Sequence, residues 1–275
     1  MTKNTGFASR ATELYRDGGI SELARGIRDF TLIRSGQARW IVGAALNTTV
    51  PVEVGEHRIN FKTETAIEYR RARTQMHERQ VLEDFIRSLR SDDIVWDCGS
   101  NVGLYATFAA EIAAESVAIE PAPSNVSALS YNLSQNDLDD ESTIIATALG
   151  SSEGTVAVPA DAKPGENHKL SSSGGSTQVP IKCGDDITGS TDVPDPTVLT
   201  MDIEGAEADA LDGLRETLTN VRLAYVEVHE DLLADYGRSA DDVMNILEET
   251  GFNVSCLNER RSGNYHLKAV ANSRE

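Results

Sequence analysis

The stretch that decides the fold is Asp92-Asp93-Ile94-Val95-Trp96-Asp97-Cys98-Gly99-Ser100-Asn101-Val102-Gly103, followed by Val117-Ala118-Ile119-Glu120-Pro121. An apolar run ends in an acid, a glycine turn follows, Leu104 to Ala114 reads as helix, and the next apolar run ends in a second acid. That is the outline of a nucleotide-type βαβ unit. Glycines in the turn let the backbone approach a ligand at the helix N-terminus, and the second acid can accept both ribose hydroxyl hydrogens. A pyrophosphate is negatively charged and is met by bare N–H groups. Here Asp97 heads the loop, which suits a ligand with a sulfonium and an ammonium group, so S-adenosylmethionine is favoured over a dinucleotide.

Working outward, strands are expected at 93–97, 116–120, 143–148, 197–202 and 222–228, with helices at 103–114, 123–136, 206–219 and 239–250. This alternation predicts an α/β fold of Rossmann-like type, a doubly wound and mostly parallel sheet. Phe252–Leu257 and Tyr265–Val270 bracket a polar turn and read as a C-terminal antiparallel hairpin, a departure from an ordinary dinucleotide-binding domain. Gly154–Pro159 and Gln178–Ile181 are short strand-like runs around Ala160–Thr177. That stretch is rich in Ser, Gly and Lys and reads as a loop of the kind that forms lids or binds substrate, or as plain disorder.

Upstream, Val50–Val54 and Arg58–Phe61 alternate in polarity around Gly55-Glu56-His57, the pattern of a β-hairpin. Thr74–Leu89 reads as one helix with Val81, Leu82, Phe85, Ile86 and Leu89 on its apolar side. Ile20–Phe30 also has helical patterning. The chain therefore divides into an N-terminal helical and hairpin extension, residues 1–74, and a larger α/β domain, residues 75–275.

At 275 residues the chain is long enough for one large α/β domain with additions. Its formal net charge is -19, and nucleic-acid phosphates would be repelled by such a surface. Lysine is scarce among the basic residues, the pattern of the hydrated acidic surfaces of halophilic proteins. Residues 1–44 differ, carrying Lys3, Arg10, Arg16, Arg25, Arg28, Arg34 and Arg39 against four acids. The simpler reading of this segment is a packing element. A sharper one is peripheral contact with anionic lipid. Cys98, Cys183 and Cys256 are far apart and form neither a disulfide framework nor a zinc site. No apolar run reaches the length of a membrane span and the N-terminus lacks a signal-peptide core, so a cytoplasmic protein is expected.

The motifs in order resemble the FkbM family of S-adenosylmethionine-dependent methyltransferases over roughly residues 75 to 270. They are Asp97-Cys98-Gly99-Ser100-Asn101-Val102-Gly103, Glu120-Pro121-Ala122-Pro123-Ser124-Asn125, Asn132 to Asn136, Ala148-Leu149-Gly150, Asp202-Ile203-Glu204-Gly205-Ala206-Glu207 and Glu227-Val228-His229. Cys98 stands where the family more often has an aliphatic residue. The resemblance implies S-adenosylmethionine held by Asp97, Gly99, Asn101, Gly103, Glu120, Pro121 and Ala148. Asp97 would face the ammonium group and Glu120 the ribose diol, with Gly99 and Gly103 giving close approach to the methionine part. Asn125 and Asn132 read as helix-face and packing residues.

Asp202 and Glu204 end the fourth core strand over the same crevice, where two carboxylates can orient the substrate, take a proton or hold a cation; acids also suit a helix N-terminus. His229 ends the next strand and is a candidate base or substrate contact. These three are the catalytic candidates, and no residue is assigned as a metal ligand. The resemblance implies an O-methyltransferase acting on a hydroxyl, with a sugar in a lipid-linked or surface glycan as the preferred acceptor. A nicotinamide-dependent oxidoreductase and a non-catalytic cofactor-binding protein are the alternatives. The Asp97-headed loop and the closing hairpin speak against the first, and the acids at three strand ends against the second.

Overall fold

The computed structural model describes residues 43–46, 48–63, 65–74, 78–159, 164–165, 176–190, 193–258 and 264–272. The helical pattern at Ile20–Phe30, nearly all of the basic N-terminal segment and most of the Ala160–Thr177 stretch lie outside these residues.

Seven strands form the main sheet. In spatial order they are β11 (Phe252–Cys256), β12 (Asn264–Ala271), β10 (Leu223–His229), β9 (Val198–Met201), β3 (Ile94–Cys98), β4 (Glu115–Ile119) and β5 (Ser142–Ile145). The five from β10 to β5 run parallel, while β12 enters antiparallel between β10 and β11. This is the doubly wound sheet with a closing antiparallel hairpin that the alternation predicts. Strand order reverses at β3, so β3, β4 and β9 open a crevice at their carboxyl ends, the place where ligands bind in such sheets.

Neighbouring residues on the strands point to opposite faces and fill two cores. Trp96, Val117, Leu199 and Val226 pack on one face with the helices α6 (Glu207–Asp212) and α8 (Ala240–Glu249). Val95, Ala118, Val198 and Tyr225 pack on the other. There they meet α2 (Arg79–Ser88), α3 (Leu104–Ile112), α4 (Pro123–Ser134) and the hairpin of β1 (Thr49–Val54) and β2 (His57–Lys62). The hairpin is also held by polar side chains. Asn132 Oδ1 accepts from Lys62 N at 2.9 Å while its Nδ2 donates to the Val102 carbonyl at 2.8 Å. Asn136 Oδ1 accepts from Asn60 N and its Nδ2 returns to the Asn60 carbonyl. Among the described residues, no helix is long and apolar enough to cross a membrane.

Three expectations need correction. The helix expected over Thr74–Leu89 begins at Arg79, and a separate helix α1 (Ala66–Thr74) precedes it. The buried apolar stripe of the second helix starts at Val81. The strand expected at 143–148 ends at Ile145; Thr147 turns back on the Ile145 carbonyl, and β6 (Ala148–Leu149) leaves the main sheet. It pairs with β8 (Ser176–Lys182), which in turn pairs with β7 (Gly154–Pro159), making a small second sheet. The helix expected over 206–219 stops at Asp212. Gly213 lies against the Gly150 carbonyl, which a Cβ would approach to 2.2 Å, and Asp185 then accepts from the N–H groups of Glu216 and Thr217 to start a separate 3-10 turn.

Candidate active site

Two cavities meet at the carboxyl ends of β3, β4 and β9. The smaller, about 640 Å³ to its open mouth, is lined by Glu120, Pro121, Ala122, Thr147, Ala148 and Leu149. The larger, about 980 Å³, runs from Asp97, Ser100 and Tyr105 to Val52, Phe61, Lys62 and Arg71, with Tyr225, Glu227 and His266 along one wall. Gly99, Asn101 and Asp202 line both.

The β3 loop is built from inside. Asp97 is buried; its Oδ2 accepts from Ala106 N in the first turn of α3, and its Oδ1 accepts from Thr200 Oγ1 at 2.6 Å. Burial pushes its carboxyl up to about 6 despite these bonds. Gly99 has φ of 85°, and a Cβ there would lie 2.0 Å from the Asp202 carbonyl oxygen. Gly103 has φ of 93° and faces Leu129, and it lines neither cavity. The two glycines are therefore required by backbone conformation and by packing inside the protein, before any ligand is considered.

Glu120 joins this loop to the next strand. One carboxylate oxygen accepts from Asn101 N at 2.8 Å, and the other accepts from Ala122 N and Asn125 Nδ2. Asn125 in turn accepts from Gly165 N, a polar role beyond helix-face packing. Asn101 sits in the left-handed region at φ of 51°, and its buried Oδ1 has no hydrogen-bond partner among the described residues. Asp97, Gly99, Asn101, Glu120, Pro121 and Ala148 thus surround the paired cavities, while Gly103 stands behind them.

The acids after β9 gather around one histidine. His229 ends β10 and is 2 % exposed. Its Nδ1 lies 2.7 Å from Oε1 of Glu207, which is itself fully buried and also accepts from Gly205 N. On the other side of the ring, Nε2 has Glu204 at 3.5 Å, Asp202 at 3.7 Å and Glu227 at 3.8 Å. Glu204 reaches this position from a left-handed backbone, φ of 52°, uncommon for a side chain of its length. Burial opposes charge on His229, but the Glu207 bond and the carboxylates around it raise its pKa to about 9. Asp202 is driven well above the usual carboxylate range, first by burial and then by Glu227 beside it. Glu227 moves the other way, because His266 and His229 outweigh its burial.

The structure brings the three catalytic candidates, Asp202, Glu204 and His229, within one group. It adds Glu207, Glu227, His266 and Tyr105, to which the sequence reading gave no role at the site. Glu227 and His229 are two apart on one strand and so share a face, a signal that was available. His266 is placed opposite Glu227 only by the register of β12 on β10, which the sequence alone does not specify.

The comparisons agree with this architecture. The Methyltransferase FkbM domain matches residues 97–254. Hexuronic acid methyltransferase AglP of Haloferax volcanii is 28% identical over 233 residues, covering 84% of this chain and 89% of that relative. The crystal structure of Methyltransferase FkbM from Methylobacillus flagellatus KT superposes with a TM-score of 0.50 at 19% identity, covering 74% of this chain and 53% of that one. The chain thus spans about half of that solved structure, and the likeness at this identity concerns the fold. The motif loop, the sheet order and the matched region together place this chain in the FkbM methyltransferase family.

Proposed function

We propose that the protein transfers the methyl group of S-adenosylmethionine to a sugar hydroxyl, with a glycan carrying hexuronic acid as the acceptor class. The observation that carries this reading is the position of Asp202, which lines both cavities with His229 behind it. The relative named as a hexuronic acid methyltransferase supplies the acceptor class.

The residues present fit the cofactor. Glu120 offers carboxylate oxygens at the smaller cavity, Asn101 Oδ1 is buried without a partner where a donor would satisfy it, and Asp97 gives negative charge toward an ammonium group. Glu120 with Pro121 and Ala148 would hold the adenosine end; Asp97, Gly99 and Asn101 would hold the methionine end. Bound there, S-adenosylmethionine supplies a methyl carbon on a positively charged sulfur that leaves as a neutral thioether.

What the chain itself adds is alignment and a destination for the proton. The larger cavity, walled by Val52, Phe61, Tyr105 and Tyr225, would exclude water around the acceptor. The hydroxyl proton would pass to the carboxylates Asp202 and Glu204. A carboxylate whose affinity for protons is raised by its surroundings is a better acceptor than one at its ordinary value. A lipid-linked or surface glycan remains the preferred acceptor, met from a cytoplasmic position. The excess of basic residues in 1–44 would favour its anionic surroundings.

The test is incubation with methyl-tritiated S-adenosylmethionine and hexuronic acid oligosaccharides. Alkali-stable label in the glycan is the expected result, since an ether at a hydroxyl resists base. Alkali-labile label would place the methyl on the carboxylate, and no label on any such glycan would overturn the acceptor class.

A further inference from the structure

The arrangement around His229 is more specific than proton transfer requires. His229 is almost wholly buried, and Glu207, fully buried, holds its Nδ1 so that the ring turns Nε2 toward the carboxylates. A carboxylate on one ring nitrogen and an open second nitrogen is the arrangement that prepares a histidine to bind a metal. One oxygen each of Asp202 and Glu227 and a ring nitrogen of His229 lie within 4.8 Å of one another. Nε2 stands 3.7 Å from Asp202 and 3.8 Å from Glu227. Around an ion with bonds of about 2.1 Å, adjacent ligands are about 3.0 Å apart and opposed ones about 4.2 Å, so these spacings close on an ion with small side-chain shifts.

Two further observations bear on this cluster. Among the described residues, the buried Asp202 Oδ1 has no hydrogen-bond partner, although it faces the histidine. The larger cavity also gathers the carboxylates of Glu78, Asp97, Asp202 and Glu227 along the side that carries the cluster, with Lys62 and Arg71 among its other lining residues.

We propose that Asp202, Glu227 and His229 bind one divalent cation of the Mn²⁺ class, which holds the acceptor's oxygens beside the cofactor loop. Two carboxylates and one imidazole favour a first-row ion that accepts both oxygen and nitrogen. Asp202 and Glu227 line the larger cavity, so the ion's open positions would face the acceptor. With Asp202 engaged as a ligand, Glu204 remains to take the hydroxyl proton. The role of the cation, though not its binding, rests on the methyltransferase reading above.

The experiment uses the full chain, stripped with chelator, and follows MnCl₂ binding by loss of the free Mn²⁺ signal in electron paramagnetic resonance. One ion per chain is expected, with affinity at least tenfold lower in Glu227→Gln and in His229→Ala. S-adenosylhomocysteine binding by calorimetry, run on the same preparations, reports that each variant is folded. No stoichiometric Mn²⁺ binding by the wild type overturns the site. So does wild-type Mn²⁺ affinity in Glu227→Gln that still binds S-adenosylhomocysteine. Failure of the wild type to bind S-adenosylhomocysteine would instead overturn the methyltransferase reading, while the Mn²⁺ titration still decides the cation site.

Discussion

Glu207 Oε1 lies 2.7 Å from His229 Nδ1, and both side chains are sealed from solvent. The imidazole donates from Nδ1, so the buried carboxylate fixes which nitrogen faces Asp202, Glu204 and Glu227. Glu207 is an acid in the first turn of α6, a place where acids are favoured for helix stability alone. Its contact with His229 would give it a second task, orientation of a candidate site residue on a neighbouring strand. Glu207→Gln keeps the size but removes the charge, and turnover is expected to fall about 10–100-fold, the usual cost of losing such support. S-adenosylhomocysteine affinity should not change, because Glu207 lines neither cavity. His229→Ala should show the same split more strongly. Equal losses in turnover and cofactor affinity, measured by steady-state kinetics and calorimetry, would reduce both residues to structural ones.

Glu120 makes a separate prediction for the cofactor. Charge-assisted hydrogen bonds to two ribose hydroxyls are worth about 1.5–3 kcal/mol each, so Glu120→Ala should weaken S-adenosylmethionine binding at least about tenfold. The same carboxylate holds Asn101 N and Ala122 N, so the substitution also loosens the β3 loop. Unchanged affinity by calorimetry would remove Glu120 from the site.

Asp97 couples stability to function in the opposite sense. Its folded-state pKa of about 6 lies above the ordinary 3.8, so the fold favours the protonated acid. This contribution is complete below about pH 3.8 and is lost as pH rises through about 6. At neutral pH the protein carries the cost of a buried carboxylate. Asp97→Asn should therefore stabilise the cofactor-free protein at neutral pH by roughly 1–2 kcal/mol, once a lost hydrogen bond is allowed for. It should also weaken S-adenosylmethionine binding, because the charge proposed to meet the ammonium group is gone. Urea unfolding that shows a less stable variant at neutral pH would contradict this account.

Much of this was legible in the sequence because strands and loops obey local rules. Acids after apolar runs at Asp97, Glu120 and Asp202 mark strand ends, and alternating strands and helices yield the sheet. Asn132 shows where such reading stops. Its place in a helical pattern implied packing, whereas its side chain ties Lys62 in the hairpin to Val102 in the β3 loop, contacts separated by many residues. Likewise His266 meets Glu227 only through strand register, and Gly213 ends a helix because another loop needs the space. Long-range contacts of this kind leave no periodic trace.

The Asn132 bridge predicts a stability effect that reaches the cofactor loop. Asn132 is 1 % exposed, and Asn132→Ala leaves the Lys62 N–H and the Val102 carbonyl without this partner. Each buried group left unsatisfied costs about 1–3 kcal/mol, so urea unfolding should show a loss in that range or above. S-adenosylhomocysteine affinity should fall as well, since Val102 lines the larger cavity. A loss of stability with unchanged affinity would mean the bridge supports the hairpin alone.

The final prediction concerns salt. A formal charge of -19 on 275 residues repels itself in the compact state, and the repulsion weakens as ions screen it. Some acids are answered locally: Asp93 is paired with Arg222, and Asp209 and Asp212 are paired with Arg238. These pairs would lose strength in salt, which opposes the gain from screened repulsion. Acidic residues outnumber basic ones by 44 to 25, so the uncompensated majority should set the sign. The Debye length falls from about 10 Å at 0.1 M to about 3 Å at 1 M, shorter than most spacings between surface charges. Melting temperature should therefore climb from low salt toward molar KCl, and NaCl should act similarly if screening is the cause. A flat or falling melting curve over that range would show that the acidic surface is already balanced, and would remove the halophilic reading of the composition.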